Sequence, residues 1–263
     1  MLNTFSCYVI GDDFLIAKCC ELILQNDCRI LGILSSNPQA LEWAANNKVP
    51  IFASFIEFEQ AVTNTNFDYL FSISNKKILS DSVINSPAKF AINYHNALLP
   101  KYGGSYATTW AILNKERYHG ITWHLMTSQV DGGDILEQIE FPIQEDDTMV
   151  TLNTRCHEYA VKLFEKLIKK IALGKIKTRK QSAAVEYYPI NKKVKYDGII
   201  TWDETAEEIY TLFRALNSYP SLNHIGLPKL LIGSVVFIPR ILSVLPKAST
   251  NKPGTVIDFT NDS

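Results

Sequence analysis

Apolar residues come in short blocks separated by polar, helix-patterned stretches through the first half of the chain. Phe5 to Ile10 reads as a strand ending at Gly11, and a helix is predicted from about Phe14 to Leu24. Cys28 to Leu34 is a second strand candidate. Ser35-Ser36-Asn37-Pro38 interrupts it, and a polar helix runs to about Asn46. Pro50-Ile51-Phe52 reads as a short strand, with Ser54 placed to cap the helix after it. Asp68 to Ile73 and Phe90 to Tyr94 are further buried strands, and Gly120 to Met126 and Ile135 to Ile143 look like two more. Strands that alternate with helices imply crossover connections and a mainly parallel α/β sheet. Ligands of such sheets bind at the carboxyl ends of the strands.

The clearest helix is predicted from about Met149 to Leu173. Leu152, Cys156, Tyr159, Ala160, Leu163, Phe164, Leu167, Ile168 and Ile171 recur in steps of one, three and four, which is one helical face. Asp147 or Thr148 can cap its start and Gly174 can end it. From Lys175 to Lys195 basic residues stand against the single acid Glu186, and this stretch reads as a solvated linker over the surface of the first unit, or a docking patch. Beyond it Asp203 can cap a helix to about Leu216, and Asn217 to Pro220 turns the chain. Leu230 to Leu242 and Thr255 to Phe259 look strand-like. The expected division is a catalytic domain over 1–185, its linker starting near 175, and a small C-terminal subdomain over 186–263.

Composition narrows the class. The chain has 263 residues, 46% of them hydrophobic and 20% charged, which excludes disordered and low-complexity chains. A net charge of −1 argues against a general nucleic-acid binder. No apolar run approaches the ~20 residues that span a bilayer, and no signal-peptide pattern opens the chain. Cys7, Cys19, Cys20, Cys28 and Cys156 are odd in number and form no C-x-x-C, so neither a disulfide framework nor a zinc site is indicated and a cytoplasmic protein is expected. Gly11-Asp12-Asp13-Phe14 does not make the G-x-G-x-x-G of a dinucleotide oxidoreductase.

Candidate chemistry gathers in three segments. Asn93 and His95 end a strand two residues apart and so face the same side. The chain continues Asn96-Ala97-Leu98-Leu99-Pro100-Lys101-Tyr102-Gly103-Gly104. Gly120-Ile121-Thr122-Trp123-His124 follows, then Val130-Asp131-Gly132-Gly133-Asp134-Ile135-Leu136. Asp131 lies 36 residues beyond His95 (131 − 95), in a glycine-rich loop able to approach a ligand closely.

N-x-H-x-x-L-L-P, then G-x-T, then D-x-G-D-I-L resembles the folate-dependent formyltransferase family over about Phe5 to Ile171. The tail from Asn217 resembles the start of that family's C-terminal, OB-like domain, here cut short. The resemblance implies a Rossmann-like, mainly parallel sheet and formyl transfer from 10-formyltetrahydrofolate without a metal. It makes Asn93, His95 and Asp131 the catalytic residues. An Asn93 amide can donate to the oxyanion of a tetrahedral intermediate, worth ~2.7–4 kcal/mol for one such donor. His95 can stabilise that oxyanion or shuttle the amine proton. A carboxylate at Asp131 would favour the protonated ring and orient it. His119, His124, His157 and His224 show no ligand spacing and read as structural or surface residues. The resemblance also places the pterin against Lys77, Ile78 and Leu79, about 14 residues before the asparagine (93 − 14 = 79), with Val130 and Asp131 as the other wall. It implies a cis peptide at Leu99-Pro100.

Three features bear on the acceptor. The long basic loop that tRNA formyltransferases carry after the second strand is replaced by Ser35-Ser36-Asn37-Pro38-Gln39-Ala40-Leu41-Glu42. Gly103 stands where the family usually has Arg before the glycine. Tyr106 to Ile112, His119 to His124 and Leu152 to Glu158 are similar to formylation domains that open nonribosomal peptide synthetases. The expected acceptor is therefore an aminoacyl-phosphopantetheine group on a carrier domain, with an adenylation domain adjoining and no nucleic acid or membrane partner. Pro253 to Ser263 resembles a segment that elsewhere continues into further strands, so the expectation is either a domain excised from a longer polypeptide or a natural short form. A free-standing enzyme acting on an amino sugar or other small amine is the alternative. A non-catalytic folate-binding or docking module is the reading from another class.

Overall fold

A computed structural model describes residues 4–183, 185–219, 223–245 and 250–256. The first half runs β1 (Ser6–Ile10), α1 (Leu15–Gln25), β2 (Arg29–Leu34), α2 (Pro38–Asn46), α3 (Phe55–Asn64), β3 (Tyr69–Ile73), α4 (Asp81–Ile84) and β4 (Phe90–His95). Then come β5 (Gly103–Gly104), α5 (Ala107–Leu113), β6 (Tyr118–Leu125), β7 (Ile135–Pro142), α6 (Met149–Ala172), β8 (Tyr187–Tyr188), α7 (Ala206–Leu216), β9 (Leu230–Ile232) and β10 (Val235–Phe237). A six-stranded sheet has the order β2-β1-β3-β4-β6-β7. Its first four strands are parallel, and β6 and β7 are antiparallel to their neighbours. This is the mainly parallel α/β architecture that the alternating blocks imply.

The central strands are buried on both faces and feed two cores. On one face Val9, Phe71, Ile73, Ile92, Tyr94 and Trp123 pack against Leu15, Cys19 and Ile23 of α1 and Cys156, Ala160, Phe164 and Ile168 of α6. All five cysteines are free and buried. On the other face Tyr8, Ile10, Leu70 and Ala91 pack under Phe58 and Val62 of α3 and Val83 of α4. The second face loses its helical cover beyond β4, and that gap is where the site lies. A third cluster joins Ala97, Tyr102, Ala107 and Trp110 to Tyr188, Val194, Leu212, Leu216 and Ile225.

Several local expectations change. Pro50-Ile51-Phe52 is no strand: it makes a single parallel bridge, Ile51 with Ile33, since Pro50 has no N–H to extend the ladder. Ser54 does cap α3, accepting from the Glu57 N–H. Thr148 caps α6, while Asp147 instead receives the Arg155 guanidinium at 2.7 and 2.9 Å. Thr205, not Asp203, caps α7, in a reciprocal box with Glu208. The Leu230–Leu242 block folds back on itself at Gly233-Ser234 as the β9–β10 hairpin. Pro220 and most of the Thr255–Phe259 block lie outside the described residues, as does 257–263. Among the described residues, no helix is long and apolar enough to cross a membrane.

Candidate active site

Asn93 and His95 occupy the last turns of the β4 pleat and point to the face that helices leave open. Antiparallel pairing with β6 sets His124 opposite Asn93 and Thr122 opposite His95. A bulge at Trp123/His124, where β7 carries an extra residue, adjusts the end of that strand. The chain then turns back over the sheet through 126–134, which brings Asp131 to His95. Gly133 permits this path: a Cβ there would stand 1.9 Å from the Leu125 carbonyl oxygen. Asp131 itself adopts φ 54°.

The polar groups interlock. His95 Nε2 donates to the Tyr102 carbonyl at 2.7 Å, which leaves Nδ1 facing Asp131 Oδ1 at 3.7 Å. His124 Nδ1 donates to the Leu125 carbonyl at 2.8 Å, so its Nε2 accepts from Asn93 Nδ2 at 3.1 Å and lies 3.5 Å from Asp131 Oδ1. The second Asn93 N–H has no partner among the described residues. The Gly104 N–H donates to Asp131 Oδ2 at 2.7 Å. Burial would raise the Asp131 carboxyl, but the charge that the His95 and His124 rings carry when protonated and the Gly104 N–H outweigh it and hold the group well below the usual carboxylate range. Asp131 is thus a fixed anion between two imidazoles.

The turn after His95 is anchored from below. Thr122 Oγ1 donates to the Ala97 carbonyl at 2.6 Å and accepts from the Leu99 N–H, and Gln138 Nε2 donates to the Leu99 carbonyl at 2.9 Å. The Leu99-Pro100 peptide is cis, as expected. His119 and His157 are the structural residues they read as. Burial pushes His119 down to about 4, and its Nε2 donates to the Asn96 carbonyl. Burial likewise lowers His157, which stands 3.5 Å from Asp13 and edge-on to Phe14. His224 is exposed.

The remaining expected wall residues fall on two loops. Lys77-Ile78-Leu79 follows β3: an Asn75 turn takes the Lys77 N–H and carbonyl, Ile78 is 79% exposed, and Leu79 is buried in the second core. Val130, 38% exposed, precedes Asp131. The exposed Ile78 and Val130 side chains leave apolar surface on both loops, of the kind the flat face of a pterin could cover.

Two readings are corrected. His124 is no bystander: it touches both Asn93 and Asp131. The period-2 run Gly120, Thr122, His124 carried that signal, once β6 is known to pair antiparallel with β4. The basic linker keeps its charged side chains in solvent, as read, but it is more than a connector. Arg179 pairs with Ile135 through both backbone bonds, Gln181 donates to the Asp131 and Gly133 carbonyls at 2.6 and 2.8 Å, and Glu186 bonds Pro100 and Gly103 through its backbone. Tyr188 stacks on Tyr102 at 5.3 Å. Hydrogen-bonding demand of the two loops draws the chain onto them, a demand its own charge pattern does not reveal.

Comparison with known proteins bears on this arrangement. The "Formyl transferase" family model matches residues 45–168, and "Formyl transferase, C-terminal domain" matches 192–263. The chain belongs to the folate-dependent formyltransferase family. It is 29% identical over 218 residues to the bifunctional polymyxin resistance protein ArnA of Wigglesworthia glossinidia brevipalpis, covering 81% of this chain and 32% of that protein. It therefore spans about a third of that relative. A 4-N formyltransferase from Francisella tularensis shares the fold at 22% identity and TM-score 0.75, over 91% of this chain and 99% of that one. An N-formyltransferase from Helicobacter canadensis, solved with folinic acid and dTDP-3-aminofucose, shares it at 23% identity and TM-score 0.69, over 88% and 85%.

Proposed function

We propose that this formyltransferase moves the formyl group of 10-formyltetrahydrofolate to the primary amine of an amino sugar carried on a nucleotide. The observation that carries formyl transfer is the buried Asp131 anion against His95 Nδ1, with the second Asn93 N–H beside it. When bound, the folate supplies an activated formyl carbon. Lys77, Ile78, Leu79 and Val130, with the Asp131 backbone, would hold its ring. His95 takes the proton of the attacking amine at Nδ1, because Nε2 is committed to the Tyr102 carbonyl, and would return it to the folate nitrogen as that nitrogen's bond to the formyl carbon breaks. Asp131 stabilises the resulting imidazolium, and the second Asn93 N–H donates to the oxygen that gains charge. His124 fixes the Asn93 amide so that this hydrogen points outward. We assign the chemistry to 1–185 and leave 186–263 as a smaller C-terminal unit.

The sugar acceptor draws support from the relatives: one neighbour in fold was solved with an aminosugar nucleotide. The features that pointed to a carrier-bound acceptor lose their force. Trp123 lies wholly in the core, its Nε1 donating to the Ala160 carbonyl, and Trp110 packs on Tyr188. Gly103 answers to the crossing chain, since a Cβ there would meet Val185 Cγ1 at 2.1 Å. All three positions are buried within the protein's own packing. The test is a side-by-side assay with 10-formyltetrahydrofolate and three amines: a dTDP-amino sugar, an aminoacyl-pantetheine mimic and methionyl-tRNA. Preferential turnover of the sugar is expected. Preference for the pantetheine thioester would restore the carrier reading.

A further inference from the structure

We infer that Gln181 is a positioning residue that sets the spacing of the Asp131–His95 pair. This inference rests on the formyl-transfer reading above. Asp131 sits in a loop that must fold back over the sheet, with its own φ at 54°, a conformation few non-glycine residues adopt unaided. The loop's carbonyls at Asp131 and Gly133 point away from the sheet ladder and need donors. Gln181 Nε2 supplies both, at 2.6 and 2.8 Å. Its Oε1 is buried and has no hydrogen-bond partner among the described residues. The two donations are thus what hold this side chain in place.

The same stretch of chain grips the His95 side. Five residues on, the Glu186 N–H donates to the Pro100 carbonyl at 2.9 Å, and the Glu186 carbonyl accepts from the Gly103 N–H at 2.8 Å. Tyr102, whose carbonyl holds His95 Nε2, lies between those two anchors. Arg179 braces the other end: its backbone exchanges both bonds with Ile135, and Nη2 reaches Gln138 Oε1 at 2.8 Å. Gln138 in turn holds the Leu99 carbonyl. One segment therefore pins the acid-bearing loop by a side chain and the loop that follows His95 by its backbone. Asp131 and His95 stand 3.7 Å apart because both are referred to that segment.

The experiment uses the full chain with Q181A, Q181M and Q181E, each in the wild-type and D131N backgrounds. Met keeps the volume without a donor, and Glu keeps the shape but offers only acceptors to two carbonyls. All three are expected to lower kcat by about 10- to 100-fold, as small misplacements of catalytic groups do. In the D131N background the further loss should shrink to under about 2-fold, because residues acting as a unit are not additive. Exchange of the Gly104 amide, which donates to Asp131, should quicken by about 10-fold or more in the three variants. Wild-type kcat in Q181M, equal losses in both backgrounds, or unchanged Gly104 exchange would each overturn the inference. Should the chain transfer no formyl group at all, the functional reading fails, and Gly104 exchange still decides the role of Gln181.

Discussion

The two faces of the sheet are built from the same strands by opposite means. On one face Phe71, Ile92, Tyr94 and Trp123 meet α1 and α6, and Phe164 packs on Trp123 at 4.7 Å and on Phe71 at 5.3 Å. On the other, beyond β4, Asn93, His95, Thr122 and His124 meet loops, and hydrogen bonds to backbone carbonyls replace apolar contact. Residue 94 serves the first face and residues 93 and 95 the second. Alternation along a strand thus separates stability from chemistry by one residue. The helix-covered face is close-packed and tolerates little change. The loop-covered face fixes its polar groups by hydrogen bonds rather than by apolar packing.

The sharpest way to test that division is to damage each side in turn. Phe164→Ala should destabilise the protein by about 3–5 kcal/mol in urea unfolding, the usual cost of a buried aromatic cavity. The fraction still folded should keep kcat within about 2-fold, and a disproportionate loss of activity would break the comparison. On the other face His95→Ala and Asp131→Ala should each lower kcat at least ~10²-fold per folded molecule, in addition to the ~1–3 kcal/mol of stability that leaving a buried partner unpaired costs. Near-wild-type rates from either variant would remove the catalytic assignment.

Asp147 sharpens the comparison from the helical side, where it is an ionic exception. Its buried carboxylate takes Arg155 bidentately, and its carbonyl takes Arg214 at 2.8 Å from α7. Burial would raise the group, yet Arg155, the Gln144 N–H and Thr151 hold it below its ordinary value. The folded-state value is the lower one, so its stabilisation is present above the unfolded value of ~4 and fades as pH falls through the folded one. Asp147→Asn should cost about 1–3 kcal/mol at neutral pH, and urea unfolding should show the gap closing toward pH 3. Formyl transfer should be unaltered. The smallest expected effect is on salt: KM for a sugar-nucleotide acceptor should change only a few-fold between low and moderate ionic strength. A tRNA acceptor would lose affinity steeply over that range, since each phosphate contact releases counterions.

Legibility followed sequence range. β1, β2, β3 and β4 and the helices α1 and α6 announce themselves because each is a local period in hydrophobicity, and the observed ends fall within about two residues of those patterns. Asn93 and His95 are legible together because strand alternation links them locally, and Asp131 because it sits in a recognisable glycine-rich motif. His124 was misread, although it stands in the same alternating run, because its meaning depends on which strand lies beside it. Gln181 was invisible. It lies in a basic stretch whose composition says solvent, while its partners are two carbonyls about 50 residues earlier in the chain. Backbone acceptors leave no trace in the residues that carry them.

The sequence by itself determined the α/β class, the succession of strands and helices along the chain, the buried faces and the grouping of Asn93, His95 and Asp131 as candidates. Those follow from periodicities and motifs that one stretch of chain carries alone. Only the tertiary structure decided which nitrogen of His95 is free, what orients Asn93, why position 103 has no side chain and what holds Asp131 in place. Each of these is a contact between distant segments, fixed by the need to pair buried polar groups. That need is met by geometry, and only when the chain is folded.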